Sequence, residues 1–181
     1  SQIELRVLAH LSEDKALLAT FLEDRDVHEE TARLVFGDAP IEDARRRAKI
    51  INFSIIYGTS AFSLARELQT SAGEAQKFID RYFAELPQVR EYLDRIVDEA
   101  RDRGYSETIF GRQRQVPELH APDKALQQAG RRIALNNPIQ GSAADIIKVA
   151  MLRAAEAIDK KKLRTRMILQ VHDELVFEVP E

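Results

Sequence analysis

Apolar residues recur at helical spacing through the first hundred residues of the chain, and this pattern predicts a series of short helices. The first predicted helix runs from Ile3 to Leu11. Ser12 follows it and is expected to cap a second helix, because a serine hydroxyl can accept hydrogen bonds from free backbone N–H groups. The expected buried stripe of that second helix is Leu17, Leu18, Phe21 and Leu22.

The later helices are bounded by glycine and proline. A third helix is predicted from His28 to Phe36 and should stop at Gly37. The segment 38–40 is a helix-start signal, and the helix that it opens should reach Tyr57 and stop at Gly58. Further helices are predicted at 60–69, 73–85, 87–103, 122–136 and 139–159, and the last, rich in alanine and isoleucine, is expected to be well buried.

Two segments carry the pattern of strands. Residues 105–110 predict a short strand, which the pair at 116–117 is expected to close into a hairpin. Near the end of the chain, the apolar runs 167–171 and 175–179 predict a second hairpin with charged residues at its turn. The predicted fold class is therefore α+β, mostly helical, with a small antiparallel sheet.

Composition narrows the possible functions. The 181 residues include no cysteine, which excludes a disulfide framework, a zinc ribbon and a thiol nucleophile. No apolar run is long enough to span a membrane, and the N-terminus lacks the layout of a signal peptide, so we expect a cytoplasmic protein without a membrane partner. The net charge is −3, but cations predominate over residues 41–172 and form clusters. Such clusters suit either a phosphate-rich partner or ordinary solvated helix faces.

The helix that follows residue 40 carries the first candidate site. Arg45, Lys49, Phe53 and Tyr57 are four residues apart, so each is turned about 40° from the last and the four form one winding stripe. The two cations are suited to a polyphosphate and the two aromatic rings to a base. Alternatively, the helix is simply amphipathic, with its aromatic residues in the core and its cations in water.

Two further segments have chemistry to offer. His172-Asp173-Glu174 places carboxylates at a strand end, where they can bind magnesium, although a charged turn explains them equally well. Arg132, Asn136 and Gln140 share a helical face if the helix tolerates Pro138, and their planar polar groups suit phosphates and minor-groove edges. The alternative is a turn between helices, capped by its own amides. Glu4 by itself indicates only a carboxylate placed early in a helix.

Taken together, these segments resemble the polymerase domain of family A DNA polymerases, of the bacterial DNA polymerase I type, over essentially the whole chain. The segment 1–10 resembles motif A of that family from its third residue onward, the stripe ending in Tyr57-Gly58 resembles motif B, and 171–174 resembles motif C. The segment 136–145 is similar to the primer-template segment of the family.

The resemblance implies roles for residues that would meet the incoming nucleotide. Arg45 and Lys49 would bind the triphosphate, Lys49 is also a candidate acid for the departing pyrophosphate, and His28 matches a phosphate-contacting histidine. Phe53 would stack on the nucleotide and Tyr57 would guard the position of the templating base. Glu4 would crowd the 2′ position of the sugar and steady Tyr57 through a hydrogen bond.

The resemblance also implies contacts with DNA and metal. The residues that match DNA contacts are Arg112, Arg114, Arg132, Asn136, Gln140 and His172, although Gln113 interrupts a run that is often fully basic in the family. Asp173 matches a magnesium ligand and Glu174 its less essential neighbour, and both count among the expected catalytic residues. The implied partners are primer-template DNA and deoxynucleoside triphosphates, with two Mg²⁺ ions in the complete parent protein.

The sequence begins after the position at which the family carries the first motif A aspartate. Two-metal catalysis needs carboxylates that hold ions about 3.5–4 Å apart. We therefore expect the parent protein to synthesise DNA and this stretch alone to be inactive, lacking the thumb and other palm segments as partners. The expected division is palm at 1–11, fingers at 12–115 and palm again at 116–181. The alternative function is a nucleic-acid-binding module without catalysis.

Overall fold

A computed structural model describes residues 2–37 and 41–180, with the backbone alone at 41 and 42. Within those residues the chain is mostly helical, with two small antiparallel sheets, which confirms the predicted fold class. The α-helices are α1 (Ile3–Ser12), α2 (Lys15–Leu22), α3 (Val27–Phe36), α4 (Ile41–Ile56), α5 (Ala61–Leu68), α6 (Ala72–Glu85), α7 (Pro87–Arg103), α8 (Lys124–Asn136) and α9 (Ser142–Lys160). The strands are β1 (Tyr105–Glu107), β2 (Gln113–Gln115), β3 (Arg166–Val171) and β4 (Glu174–Glu178).

Side-chain oxygens at the helix starts fix where several helices begin. The Asp14 carboxylate accepts hydrogen bonds from the N–H groups of Ala16 and Leu17, each at 3.1 Å, and so caps α2. The expected cap at Ser12 is therefore wrong, because Ser12 is the last residue of α1. The predicted apolar stripe of α2 is wrong at Leu22, which is 85% exposed.

The middle helices lie close to their predicted bounds. Helix α3 ends at Gly37 and α7 at Gly104, as predicted. Helix α4 ends at Ile56, one residue before the prediction, and Gly58 follows with a φ of 61°. The predicted start signal of α4 at 38–40 lies outside the described residues.

One hydrophobic core links the N-terminal helices to the start of α9. It includes Leu5 and Leu8 of α1, Ile51 of α4, and Tyr82 of α6, all fully buried, and it extends to Ala143. Because this core crosses the expected subdomain boundaries near residues 11 and 115, α1 and α4 are held in fixed relation to each other. The boundaries themselves stay a prediction.

The two hairpins differ in how closely they follow the prediction. Strands β1 and β2 pair antiparallel, but β1 ends at Glu107 and not at Phe110, because a turn from Thr108 to Gly111 intervenes. The expected closing pair 116–117 instead leads into a 3₁₀ helix. Strands β3 and β4 pair as predicted, with a bulge between Met167 and Leu169.

Helices α8 and α9 are joined by a single π-helical turn, Asn137–Gly141, and not by an open loop. Pro138 has no N–H to donate, and a wider turn accommodates a proline that an α-helix would not. The Ser142 hydroxyl donates to the Pro138 carbonyl within this turn. Only the first residues of α9 are buried, and Leu152 is 66% exposed, so the expectation of a well-buried helix is wrong.

Among the helices of the described residues, none combines the length and the apolar character that crossing a bilayer requires.

Gly58 is a test of how tightly α4 is held against α8. A Cβ at this position would lie 2.6 Å from Leu135 Cδ1, in addition to the strain of a positive φ. Gly104 has a similar φ of 79° with nothing within 4 Å of its Cβ position. We expect Gly58→Ala to lower the free energy of unfolding by about 2–4 kcal/mol and Gly104→Ala by about 1 kcal/mol. Urea denaturation measures both, and equal losses would contradict the close approach.

Exposed apolar side chains on α9 and the second hairpin predict self-association of the isolated chain. Leu152, Ile168 and Leu169 are each more than half exposed, and such patches favour association. Sedimentation should show a mass that rises with concentration, and Leu152→Glu combined with Ile168→Thr should reduce that rise. A concentration-independent monomer would contradict this expectation.

Candidate functional site

Helix α4 separates a buried face from the four-residue stripe. Ala48, Ile51 and Ile56 are fully buried, whereas Lys49 is exposed and Phe53 and Tyr57 are half-buried. The aromatic rings pack partly against the core and still border open space, so the helix is amphipathic and its two aromatic residues are not fully in the core. The Phe53 and Tyr57 rings are 5.9 Å apart between centroids.

Tyr57 is tied to the other end of the sequence. Its hydroxyl donates to the Glu4 carboxylate over 2.9 Å, as the resemblance led us to expect. Burial raises the pKa of Tyr57, the Glu4 hydrogen bond and charge raise it further, and a hydrogen bond with Gln140 opposes them. The phenol therefore stays protonated and remains a donor at neutral pH.

A cavity of about 550 Å³ lies beside this hydrogen bond. Its lining brings together six of the predicted site residues, drawn from four separate stretches of sequence: Glu4, Phe53, Tyr57, Gln140, His172 and Asp173. A second cavity of about 370 Å³ shares Phe53 and Tyr57 and is lined by Lys49. The two aromatic rings therefore border both cavities: Lys49, Arg46 and Glu67 line the smaller one, and Glu4 and Asp173 line the larger one.

The two cations of the stripe have different surroundings. Lys49 makes no hydrogen bond or ion pair with the part of the chain that the structure describes. Arg45 instead pairs with Asp26 at 2.7 Å, and Asp26 also caps α3 through the N–H groups of His28 and Glu29. Partial burial acts to raise the pKa of Asp26, but the Arg45 and backbone hydrogen bonds outweigh it and leave that pKa lowered.

His28 lies beneath the stripe and is only 4% exposed. Its Nδ1 is 3.1 Å from the Asn52 amide nitrogen, and its ring centroid is 6.1 Å from that of Phe53. Burial lowers the pKa of His28 to about 4; Asp26 opposes the shift, and Arg45 and Lys49 reinforce it. The imidazole is therefore neutral at pH 7.

The turn between β3 and β4 presents the predicted metal ligand. Asp173 is half-buried and lines the larger cavity with His172, whereas Glu174 is exposed. Within residues 2–37 and 43–180, no group of three or more histidine and acidic side chains could hold a metal ion. The Asp173 carboxylate fits as one oxygen ligand for Mg²⁺, and the rest of the coordination would have to come from elsewhere.

The residues expected to contact DNA are spread over a wider surface. Arg132 is exposed on α8, and Gln140 is exposed on the π-helical turn. The side-chain amide oxygen of Asn136 is buried and has no hydrogen-bond partner in the described chain. The helical path is continuous through Pro138, so the three side chains do not belong to an open loop.

The hairpin arginines differ from one another. Arg114 is exposed on β2, whereas Arg112 donates to both oxygens of Asp145, at 3.0 and 3.2 Å, and to the Gly141 carbonyl. Thr108 donates to the same Asp145 carboxylate. Arg112 therefore fastens the first hairpin to the turn that carries Gln140, and its role as a DNA contact stays a prediction.

Sequence reasoning missed the polar residues that support the site. Asn52 is fully buried in α4, and Asp26 and Asp145 hold the two arginines Arg45 and Arg112. One signal was present in the sequence: Asn52 stands next to Ile51, on the apolar side of an otherwise amphipathic helix, where a polar group needs a buried partner.

His28 should make stability depend on pH. The pKa of His28 is about 6.5 in the unfolded chain and about 4 in the folded chain. Between these two pH values the unfolded chain therefore binds a proton that the folded chain does not bind, and protonation favours unfolding. Stability should therefore fall by about 2–3 kcal/mol between pH 7 and pH 4.5. The lowered pKa values of Asp26 and Asp145 act below this window.

Urea denaturation at the two pH values measures the effect. His28→Asn, which keeps an acceptor near Asn52 but does not titrate, should show a much smaller fall. An equal pH dependence in the two proteins would contradict the assignment.

Comparisons with known proteins identify the family of the chain. The profile of DNA polymerase family A matches residues 1–181. The chain is 50% identical to the thermostable DNA polymerase I of Thermus aquaticus and 50% identical to DNA polymerase I of Pseudomonas aeruginosa, in both cases over the whole chain. It spans 22% and 20% of the length of those relatives.

A solved structure has the same fold. The polymerase domain of Pol1 from M. smegmatis, in complex with a DNA primer-template and dNTP, superposes with a TM-score of 0.93 and 46% sequence identity. The match covers the whole of this chain and 32% of that one. The profile match over the full length, together with these relatives, shows that the chain belongs to DNA polymerase family A.

Proposed function

We propose that this chain is the nucleotide-binding fingers and part of the palm of a polymerase that adds deoxynucleotides to a primer 3′ end on a DNA template. In this proposal the fingers are residues 12–115, and the palm segments are 1–11 and 116–181. The observation that carries it is the Glu4–Tyr57 hydrogen bond beside a cavity that also includes Asp173 and Gln140. A reaction templated by bacterial DNA would take place in the cytoplasm.

The triphosphate would bind along the cationic end of the stripe. Lys49 is exposed and lines the smaller cavity. Its ammonium group is carried by a flexible side chain and can bind phosphate oxygens. Arg45 would also bind the triphosphate, either by leaving its ion pair with Asp26 or by contacting Asp26 and a phosphate at the same time. His28 would add a neutral N–H donor, because its imidazole is uncharged at pH 7.

The base and sugar would lie at the aromatic end. Phe53 offers a ring face to the nucleotide, and Tyr57 would occupy the position beside the templating base. Glu4 would pack against C2′ of the sugar, where its carboxylate is held by Tyr57. A hydrogen atom at C2′ fits beside that side chain, whereas a hydroxyl would overlap with it.

The reaction would occur at the end of the cavity that Asp173 lines. The primer 3′ oxygen would attack the α-phosphorus, and the bond from that phosphorus to the bridging oxygen of the pyrophosphate would break. When bound, magnesium ions supply charge neutralisation at the attacking and leaving oxygens. Lys49 would donate a proton to the departing pyrophosphate, and His172 would lie beside the primer terminus.

The DNA would lie along α8 and the first hairpin. Arg132, Gln140 and Arg114 are exposed and available to phosphates and minor-groove edges. Asn136 would support these contacts from its half-buried position.

A nucleic-acid-binding module without catalysis is the second candidate function. Binding DNA requires the cations but neither a filter beside the sugar nor a carboxylate at the turn of a hairpin. The common cavity of Glu4, Tyr57 and Asp173 therefore favours the polymerase. Nucleotide incorporation by the complete polymerase distinguishes the two directly.

Lys49→Ala tests the triphosphate assignment in the complete polymerase. Each charge-assisted phosphate contact is worth about 1.5–3 kcal/mol, so nucleotide affinity should fall at least about tenfold while primer-template affinity changes by less than about twofold. Single-turnover incorporation gives the first quantity and fluorescence anisotropy the second. Lys77→Ala, an exposed lysine on α6, serves as the matched control. Equal losses in nucleotide affinity and primer-template affinity would indicate that Lys49 contacts the DNA and not the triphosphate.

Two substitutions of Glu4 separate its size from its charge. Glu4→Ala should raise the relative use of ribonucleotides at least about tenfold, equivalent to about 1.4 kcal/mol, because the space beside C2′ opens. Glu4→Gln keeps the volume and an acceptor for Tyr57, so it should retain most of the discrimination. The kcat/KM ratio for a matched ribo and deoxy pair is the measurement. An unchanged ratio in Glu4→Ala would contradict the role of Glu4 in sugar discrimination and leave it only a favourable interaction with the N-terminus of α1.

A further inference from the structure

Asn52 lies at the centre of a buried polar cluster with His28 and Thr31, and Asn52 itself is not among the proposed nucleotide contacts. It is fully buried in α4, and its partners His28 and Thr31, on the facing helix α3, are 4% and 2% exposed. The Asn52 amide nitrogen is 3.1 Å from His28 Nδ1 and 3.0 Å from the Thr31 hydroxyl oxygen. A buried cluster of this kind is expensive to leave unpaired, so its hydrogen atoms should follow a single arrangement.

The hydrogen bonds of Thr31 are consistent with an amide whose nitrogen faces both Thr31 and His28 Nδ1. The Thr31 hydroxyl has one proton and lies 2.8 Å from the Val27 carbonyl, which can only accept. With its proton used there, the Thr31 oxygen accepts from the Asn52 amide nitrogen at 3.0 Å, a shorter distance than the 3.2 Å to the amide oxygen. The second proton of the same amide nitrogen then points to His28 Nδ1.

We propose that Asn52 is a positioning residue, which fixes His28 in the tautomer with its proton on Nε2 and so presents an N–H donor to a phosphate of the incoming nucleotide. This inference rests on the proposed function, because it assumes that His28 contacts the triphosphate. A bare Nδ1 is required by the donor that faces it, so in the neutral ring the proton must be on Nε2.

The surroundings of His28 are consistent with this arrangement. Nε2 is the ring nitrogen that does not face Asn52, and it makes no hydrogen bond with any described residue. A protonated ring would turn its Nδ1–H toward the amide N–H of Asn52, an arrangement that leaves two donors facing each other. The charge of Asp26 favours the protonated ring, and Arg45 and Lys49 are among the positive groups that disfavour it. A phosphate would therefore find a donor that is already oriented and does not need to gain a proton.

Nitrogen NMR of the complete polymerase, labelled with ¹⁵N-histidine, tests the tautomer directly. The signal of His28 is assigned by its loss in His28→Ala. At pH 8 we expect Nε2 to be protonated and Nδ1 bare. In Asn52→Asp, where an acceptor replaces the donor, Nδ1 should become protonated. A protonated Nδ1 in the unsubstituted protein would overturn the inference, as would a bare Nδ1 in Asn52→Asp.

Single-turnover kinetics test whether the tautomer serves nucleotide binding. Asn52→Leu removes the amide without adding a charge, and it keeps a folded comparison available if Asn52→Asp unfolds. We expect Asn52→Asp and Asn52→Leu each to weaken dNTP binding at least about threefold in the presence of His28. In the His28→Ala background the same substitutions should change it by less than about 1.5-fold, because a residue that acts through His28 has no further effect once His28 is gone.

The variants also separate this inference from the function on which it rests. If His28→Ala leaves dNTP affinity unchanged while Lys49→Ala lowers it, the inference is overturned and the proposed function stands. If neither substitution lowers dNTP affinity, the proposed function fails as well. Equal effects of Asn52→Leu in both backgrounds would show that Asn52 acts on packing alone and would also overturn the inference.

Discussion

The requirement to satisfy Asn52 within the core fixes how α4 lies against α3. A buried amide that is not hydrogen-bonded costs the full desolvation free energy of its polar atoms. The Asn52 amide nitrogen meets this requirement through His28 and Thr31, and the rotation of α4 that permits those bonds also buries Ala48 and Ile51. The same rotation leaves the stripe from Lys49 through Phe53 to Tyr57 turning progressively away from the buried face. The buried contact therefore determines which side chains reach the cavities.

Two polar connections then set the ends of that stripe. Asp26 caps α3 and pairs with Arg45, which ties the start of α3 to α4. Glu4 accepts from Tyr57 and ties α1 to the end of α4. Both pairs are partly exposed, so their contribution to stability is modest. Their importance lies in the positions that they fix. Glu4 and Tyr57 are held at the lining of the larger cavity, and Arg45 is held one turn of α4 before Lys49, which lines the smaller cavity.

The sequence predicted most helices because apolar spacing, Gly37, Gly58 and Gly104 act locally. It failed where tertiary contacts decide: the apolar pattern of α9 suggested burial, yet Leu152 is exposed, and a strand expected to reach Phe110 stops at the Thr108 turn. Of the site, the resemblance to a family supplied six of the residues that line the larger cavity. It did not supply Asn52 or Asp145, because buried polar partners depend on which helices meet, and no short motif encodes that.

The most direct test of the account is a structure of the complete polymerase with primer-template, magnesium and a nonhydrolysable deoxynucleotide. We expect the triphosphate against Lys49, the sugar beside the Glu4–Tyr57 pair, and the Asp173 carboxylate facing the α-phosphate. A nucleotide bound away from the Lys49–Phe53–Tyr57 stripe, or a sugar that does not contact Glu4, would contradict the central claim that these two cavities form one nucleotide site.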